Sequence, residues 1–164
     1  MANLNKNNII RLLSNTRDTE PASSSLTGTV TMTAGNKTVV GVGTAFTTEV
    51  PGGSWLYYSA DNEIRRVASV FSDTILTLTD GFTNAYAGAT FRRIPKKDCD
   101  RKEISWLVIS GATALVDGVQ VPINVGNTET TTGRERESAR DFVDPVAFDC
   151  QTVNGSILVT VKKG

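Results

Sequence analysis

Apolar and polar residues alternate along most of the chain with a period of two, which is the pattern of strands with one buried face. The first clear example is Thr29-Val30-Thr31-Met32-Thr33, followed by Ala34-Gly35-Asn36 and a second apolar run from Lys37 to Val42. Because Gly and Asn favour tight turns, these two runs predict a hairpin. Gly41 and Gly43 interrupt the second run and predict a bulge or a tight bend.

Further alternating segments follow as far as Pro95. They are Trp55-Leu56-Tyr57-Tyr58, Glu63 to Val70, Thr74 to Thr79 and Thr90 to Ile94. Short strands separated by turn residues are typical of a small β-barrel or sandwich. We therefore predict such a module over residues 26–95. Its expected core positions are Val30, Val39, Trp55, Leu56, Val67, Val70, Leu76 and Leu78.

A second β block, rich in hairpins, is predicted over residues 96–164. Ile104 to Ser110 has the composition of a strand, and Asp117-Gly118 separates two short apolar runs. Asn154-Gly155 separates two more, and both dipeptides are typical of type I′ hairpin turns. Since no segment has a sustained helical period, the sequence predicts an all-β fold.

Residues 1–25 are rich in Asn and Ser and predict an extended N-terminal arm that a partner orders. A few apolar residues interrupt this composition, and the segment that they span is too short to form a helix that is stable alone. We predict that these residues contact a neighbouring subunit: Leu4, Ile9, Ile10, Leu12 and Leu13.

Residues 126–141 predict one long polar loop in the second block. From Arg134 to Asp141 the charges alternate in sign, which leaves two interpretations. The run is either an exposed loop that compensates its own charge, or a docking loop that forms ion pairs with a neighbouring subunit. The candidate contact residues are Arg134, Glu135, Arg136, Glu137 and Arg140.

Composition removes many kinds of chemistry. The chain has no histidine, which excludes imidazole bases, Ser-His and Cys-His nucleophiles, and most zinc sites. Cys99 and Cys150 alone cannot complete a tetrahedral metal site, and two reduced thiols are favoured over a disulfide. We therefore expect no enzyme activity, no metal and no cofactor.

Charge and hydropathy restrict the partners. The charges of the 17 basic and 17 acidic residues cancel. The sequence also lacks the run of about 18 apolar residues that a membrane-spanning helix needs. Residues 92–103 carry six positive charges interleaved with three acids. This segment fits a solvated connection between domains, an ion-pairing interface or a nucleic-acid contact. Because the acids weaken the local field, nucleic acid is not the expected partner.

The first block also resembles a known module. The run Gly28 to Phe46, with Gly53-Ser54-Trp55-Leu56 after it, resembles a small β-barrel module that recurs in virion proteins of tailed bacteriophages. The segments Ile64 to Val70 and Asp73 to Leu78 extend the resemblance across residues 26–94. The resemblance implies a structural role in a virion without implying one location in it.

We therefore expect a structural virion protein of a tailed bacteriophage, forming a homo-oligomeric neck or tail ring at the head-to-tail junction. Its partners would be copies of itself and other virion proteins. A capsid decoration protein or a fibre-attachment protein is an alternative within this class. A carbohydrate-binding module for host recognition is an alternative outside it, and would need exposed aromatics. The candidates for a sugar platform are Trp55, Tyr57, Tyr58 and Tyr86.

Overall fold

The computed structural model describes residues 8–95, 101–110, 114–120, 128–132, 145–151 and 156–163. The described chain is all-β, as the alternating pattern predicts, with three antiparallel sheets, none of which closes into a barrel. It divides into two compact units, one formed by residues 21–98 and the other by residues 1–20 together with 99–164. We call these the continuous unit and the split unit.

The continuous unit contains one sheet with the strand order β3-β10-β6-β7-β8-β5-β4-β9. Its elements are β3 (Ser24–Ser25), β4 (Thr29–Met32), β5 (Thr38–Val42), α1 (Phe46–Glu49), β6 (Trp55–Tyr58), β7 (Glu63–Ser72), β8 (Ile75–Leu78), β9 (Tyr86–Ala89) and β10 (Arg92–Ile94). The predicted β4–β5 hairpin is present, with Val30 opposite Gly41. Gly35, in its turn, has a φ of 71°, which a side chain would disfavour.

The sheet of the continuous unit curls over a single core. Bulges interrupt the register of β7 between Val67 and Ser69 and between Val70 and Ser72, and bulges increase the bend of a strand. The ring centroids of Tyr58 on β6 and Tyr86 on β9 lie 4.4 Å apart, although four other strands lie between β6 and β9 in the strand order. The curl therefore encloses the core without a ladder that joins the two sheet edges.

The predicted core positions of this unit are confirmed. Seven of the eight are at most 5% exposed, and Val70 is half-buried against the same core. The alternation of apolar and polar residues predicts burial correctly here because each strand of a curled sheet has one inner face.

The split unit is a sandwich of two four-stranded sheets. One has the order β1-β16-β11-β14, formed by β1 (Asn8–Ser14), β16 (Ser156–Lys163), β11 (Arg101–Ser110) and β14 (Thr128–Thr132). The other has the order β13-β12-β15-β2, formed by β13 (Val119–Gln120), β12 (Ala114–Val116), β15 (Val146–Cys150) and β2 (Arg17–Glu20).

Side chains from both sheets share one core in the split unit. Trp106 of β11 meets Phe148 of β15 edge-on, with 5.9 Å between ring centroids. The β12–β13 turn at Asp117-Gly118 has a φ of 50° at the aspartate and 76° at the glycine, as a type I′ hairpin requires. The corresponding prediction at Asn154-Gly155 lies outside the described residues.

The prediction of an extended arm ordered by a partner is wrong for most of residues 8–25. Asn8 to Ser14 pair with β16, Arg17 to Glu20 pair with β15, and Ser24 and Ser25 pair with β10. These short segments become strands because partners elsewhere in the same chain satisfy their backbone groups. The predicted polar loop 126–141 also contains a strand, β14, which pairs with β11.

Candidate assembly surface

Large apolar side chains on the surface gather on one face of each unit. Among the described residues, the exposed large apolar side chains are Ile10, Leu12, Val40, Val42, Phe71, Ile75 and Val119. Two of the seven lie on β1 in the split unit. Four more lie on β7, β8 and β5, which are adjacent strands of the continuous unit. Contiguous apolar surface of this kind marks contact sites more often than scattered residues do.

In the split unit, β1 carries two of these side chains on the outer face of its sheet. Ile10 and Leu12 are each 62% exposed, whereas Leu13 is 6% exposed and packs in the core. Leu12 lies opposite Leu158 of β16, which in turn lies opposite Leu107 of β11. Because Leu158 and Leu107 are half-buried, the three leucines form an apolar row across three strands.

The inner face of β1 carries an ion-pair network instead. The Arg11 guanidinium donates a hydrogen bond of 2.7 Å to the Thr19 carbonyl and lies 3.2 Å from Asp18 Oδ2. Its Nε lies 3.6 Å from Glu20 Oε2, so one guanidinium faces two carboxylates. These contacts join β1 to β2 and direct the only charge of β1 away from the outer face.

In the continuous unit, the exposed apolar side chains lie on adjacent strands. Val40 of β5 lies opposite Ile75 of β8, and Val42 follows on the same face of β5. Ile75 lies opposite Ser72 of β7, next to the bulge that contains Phe71, which is 75% exposed. We call Val40, Val42, Phe71 and Ile75 the β5–β8 patch.

Sequence reasoning missed the β5–β8 patch, although one signal was present. β5 carries valine at positions 39, 40 and 42, so it is apolar on both faces. A half-buried strand should be polar on its outer face, and an apolar outer face therefore indicates a contact. Phe71 gave no such signal, because its exposure comes from the bulge.

The structure exposes some of the predicted contact residues, buries one and does not describe most of the others. Ile10 and Leu12 are exposed, as a subunit contact requires, and Ile9 lies in β1 between Asn8 and Ile10. The prediction is wrong for Leu13, because strand alternation directs its side chain into the core of its own unit. The other predicted contacts lie outside the described residues: Leu4, Arg134, Glu135, Arg136, Glu137 and Arg140.

A polar cluster in the continuous unit joins the β6–β7 turn to the loop after β8. The Tyr86 hydroxyl donates a hydrogen bond of 2.7 Å to Asp61 Oδ2 and lies 3.3 Å from Glu63 Oε2. Thr83 donates from its backbone nitrogen and its hydroxyl to Glu63 Oε1, and Arg65 also pairs with Glu63. Burial, together with the two carboxylates, raises the pKa of Tyr86 well above its usual range.

This cluster has the features of a structural clamp. Its carboxylates receive protein donors, and Arg65 also donates to the Gly81 carbonyl at 2.8 Å while lying over the Phe82 ring. In the described part of the chain, no group of three or more His, Cys, Asp or Glu side chains is placed to hold a metal ion.

The aromatic side chains considered for a sugar platform are not on the surface. Trp55, Tyr57 and Tyr86 are at most 8% exposed, and Tyr58 is half-buried against the core. An aromatic platform needs exposed ring faces, so these four residues do not form one. Cys150 is a buried free thiol. No helix within the described ranges is long and apolar enough to cross a membrane.

Comparison with known proteins gives no match. No protein-family model, no curated protein and no solved structure matches this chain.

Proposed function

We propose that this chain is a structural virion protein of a tailed bacteriophage, acting as a subunit of a homo-oligomeric ring at the head-to-tail junction. The observation that carries the assembly role is the grouping of exposed apolar side chains into one surface on each unit. The virion role is supported by the resemblance of residues 26–94 to a module of phage virion proteins.

Two separate surfaces on one chain suit a cyclic assembly. A ring closes when each subunit contacts two neighbours through separate surfaces and the rotation between neighbours brings the last subunit back to the first. The β5–β8 patch supplies Val42 at 67% and Phe71 at 75% exposure for such a contact. Fully burying one side chain of this size contributes about 1.5–3 kcal/mol, so the patch supplies part of the free energy that a repeated contact needs against the cost of association.

The alternatives differ in how the structure bears on them. Capsid decoration and fibre attachment would use the same exposed apolar surfaces, and the symmetry and neighbours of the assembly distinguish them from a ring. A carbohydrate-binding role would need the aromatic side chains that are buried or half-buried in this fold. An enzymatic role has no histidine to use.

The test is the oligomeric state of the full chain and its place in the particle. We expect mass photometry to find a closed oligomer, and electron microscopy of virions to find a ring of the same copy number. Phe71→Lys should dissociate the oligomer, whereas the matched control Thr90→Lys, at an exposed position of the same unit, should leave it intact. A wild-type chain that stays monomeric and binds no virion component would contradict the proposal.

A further inference from the structure

The strand β1 differs from every other edge strand of the described sheets. It has seven residues, pairs with β16 in unbroken register from Asn8 to Ser14, and contains neither glycine nor proline. In the strand order it lies at the outside of its sheet, with β16 as its described partner. A long, regular edge strand with apolar side chains is a template for another strand.

The other edge strands have features that discourage pairing with a strand of another chain. β3 and β13 have two residues each, and β2 is charged at Arg17, Asp18 and Glu20. β9 contains Gly88 and pairs with β4 through a register shift. β14 has five residues, one of them charged. Short length, charge and irregularity all discourage pairing between chains, and β1 lacks these features on its outer face.

The sequence of β1 indicates which strand it fits. Read in either direction, Asn8-Ile9-Ile10-Arg11-Leu12-Leu13-Ser14 is polar, apolar, apolar, charged, apolar, apolar and polar. An antiparallel pair of such strands centred on Arg11 therefore places apolar residues opposite apolar residues at every such position. A contact related by a two-fold axis requires this self-complementarity.

We propose that two copies of this chain pair through β1, antiparallel and about a two-fold axis at Arg11. This inference rests on the proposed assembly of the chain with itself and adds its register. Ile10 of one copy then lies opposite Leu12 of the other, and the reverse, so the exposed side chains of the two copies pack side by side across the new ladder. The leucine row of each copy continues into Ile10 of the other copy.

Charge at the centre of the pair favours the same arrangement. Two arginines directly opposite each other would repel if their charges were unbalanced. In each copy, however, Arg11 faces the carboxylates of Asp18 and Glu20. With two carboxylates for one guanidinium at this point, each copy presents an excess of negative charge to the Arg11 of the other.

Disulfide trapping tests the register in the full chain, in a Cys99→Ser background. Chains carrying Ile10→Cys are mixed with chains carrying Leu12→Cys and oxidised, since these positions face each other in the proposed pair. We expect covalent heterodimers in the mixture and at least about tenfold fewer crosslinks with either chain alone, because like positions are offset diagonally. Equal crosslinking in all three samples, or none in the mixture, overturns the proposal.

A charge test uses the same two positions. Ile10→Lys with Leu12→Lys places like charges opposite each other, and should weaken self-association about tenfold or more. Ile10→Lys with Leu12→Glu has the same polarity but places opposite charges across the axis, and should associate more tightly than the first variant. Circular dichroism confirms that both variants fold. Equal association of the two variants overturns the register.

Failure of this inference is distinguishable from failure of the proposed function. Closed rings without the heterodimer crosslink would contradict pairing through β1 and leave the ring proposal supported. Crosslinked dimers that never form rings would support pairing through β1 and contradict the ring.

Discussion

The two units reach similar β architectures by different routes. In the continuous unit, three of the seven ladders join strands that follow one another in sequence: β4 with β5, β6 with β7 and β7 with β8. In the split unit, Asn8 pairs with Lys162, so the first described strand requires the last one. Pairing between distant segments has an entropic cost, because a long loop must close before the contacts can form.

This difference explains why sequence patterns served one unit better than the other. Hairpin turns and alternation identified the strands from β4 to β8, because each strand and its partner are present in one local segment. β1 and β2 lack strong local signals, and their pairing depends on β16 and β15. A short terminal segment can therefore contribute to a core when its partners lie far along the chain.

The largest expected effect comes from deleting residues 1–20. This removes β1, β2 and the buried residues Leu13 and Thr19, so we expect the split unit to lose its fold while the continuous unit keeps it. Amide hydrogen exchange should show lost protection in β11 and β16 and retained protection in β5 and β8. Deletion of residues 1–7, which spares β1, is the control. Retained protection in β16 after the longer deletion would contradict the expectation that the split unit depends on residues 1–20.

A core substitution tests alternation inside the continuous unit. Leu76 is fully buried, so Leu76→Ala should cost about 2–5 kcal/mol through lost transfer energy and a cavity. Its neighbour Ile75 is 41% exposed and belongs to the β5–β8 patch. Ile75→Ala should cost less than about 1.5 kcal/mol, since much of its surface is already in water. Denaturant unfolding of both variants measures the difference, and equal costs would refute the inward and outward assignment.

The Tyr86 clamp should make the continuous unit sensitive to alkaline pH. Its pKa is raised in the folded state, so its contribution is complete below the unfolded value of about 10 and is lost as pH rises above it. Tyr86→Phe removes the hydrogen bond to Asp61 and should cost about 1.5–3 kcal/mol at pH 7.

Thermal unfolding from pH 8 to 12 measures this effect. The wild-type midpoint should fall above pH 10, and the fall should be smaller in Tyr86→Phe. Tyr58→Phe serves as the matched control, because it changes a tyrosine of the same aromatic cluster and leaves Tyr86 in place. An identical alkaline fall in Tyr86→Phe and wild type would exclude Tyr86 as its source.

The smallest effect on the fold is expected from the predicted docking loop. Replacing Arg134, Arg136 and Arg140 together by Ala should change the stability of the isolated subunit by no more than roughly 0.5 kcal/mol, as exposed substitutions usually do. The same variant should weaken assembly, measured by sedimentation. If it instead unfolds the subunit and leaves assembly intact, the loop belongs to a core and the docking hypothesis is wrong.

The sequence by itself determined the all-β class and the core of the continuous unit. Val39 and Leu76 are buried because strand alternation fixes the side of the sheet on which each residue lies. The turn at Asp117-Gly118 was also predictable, since its positive φ angles favour these residue types. Local geometry is sufficient for each of these features.

Tertiary structure alone decided which segments complete the split unit and which side chains remain outside. The same alternation that directs Leu13 inward directs Leu12 outward, but only the pairing of β1 with β16 defines these two sides. Exposure of Phe71 likewise depends on a bulge in β7. Backbone hydrogen bonds between distant strands make these choices, and no local residue pattern encodes the partner.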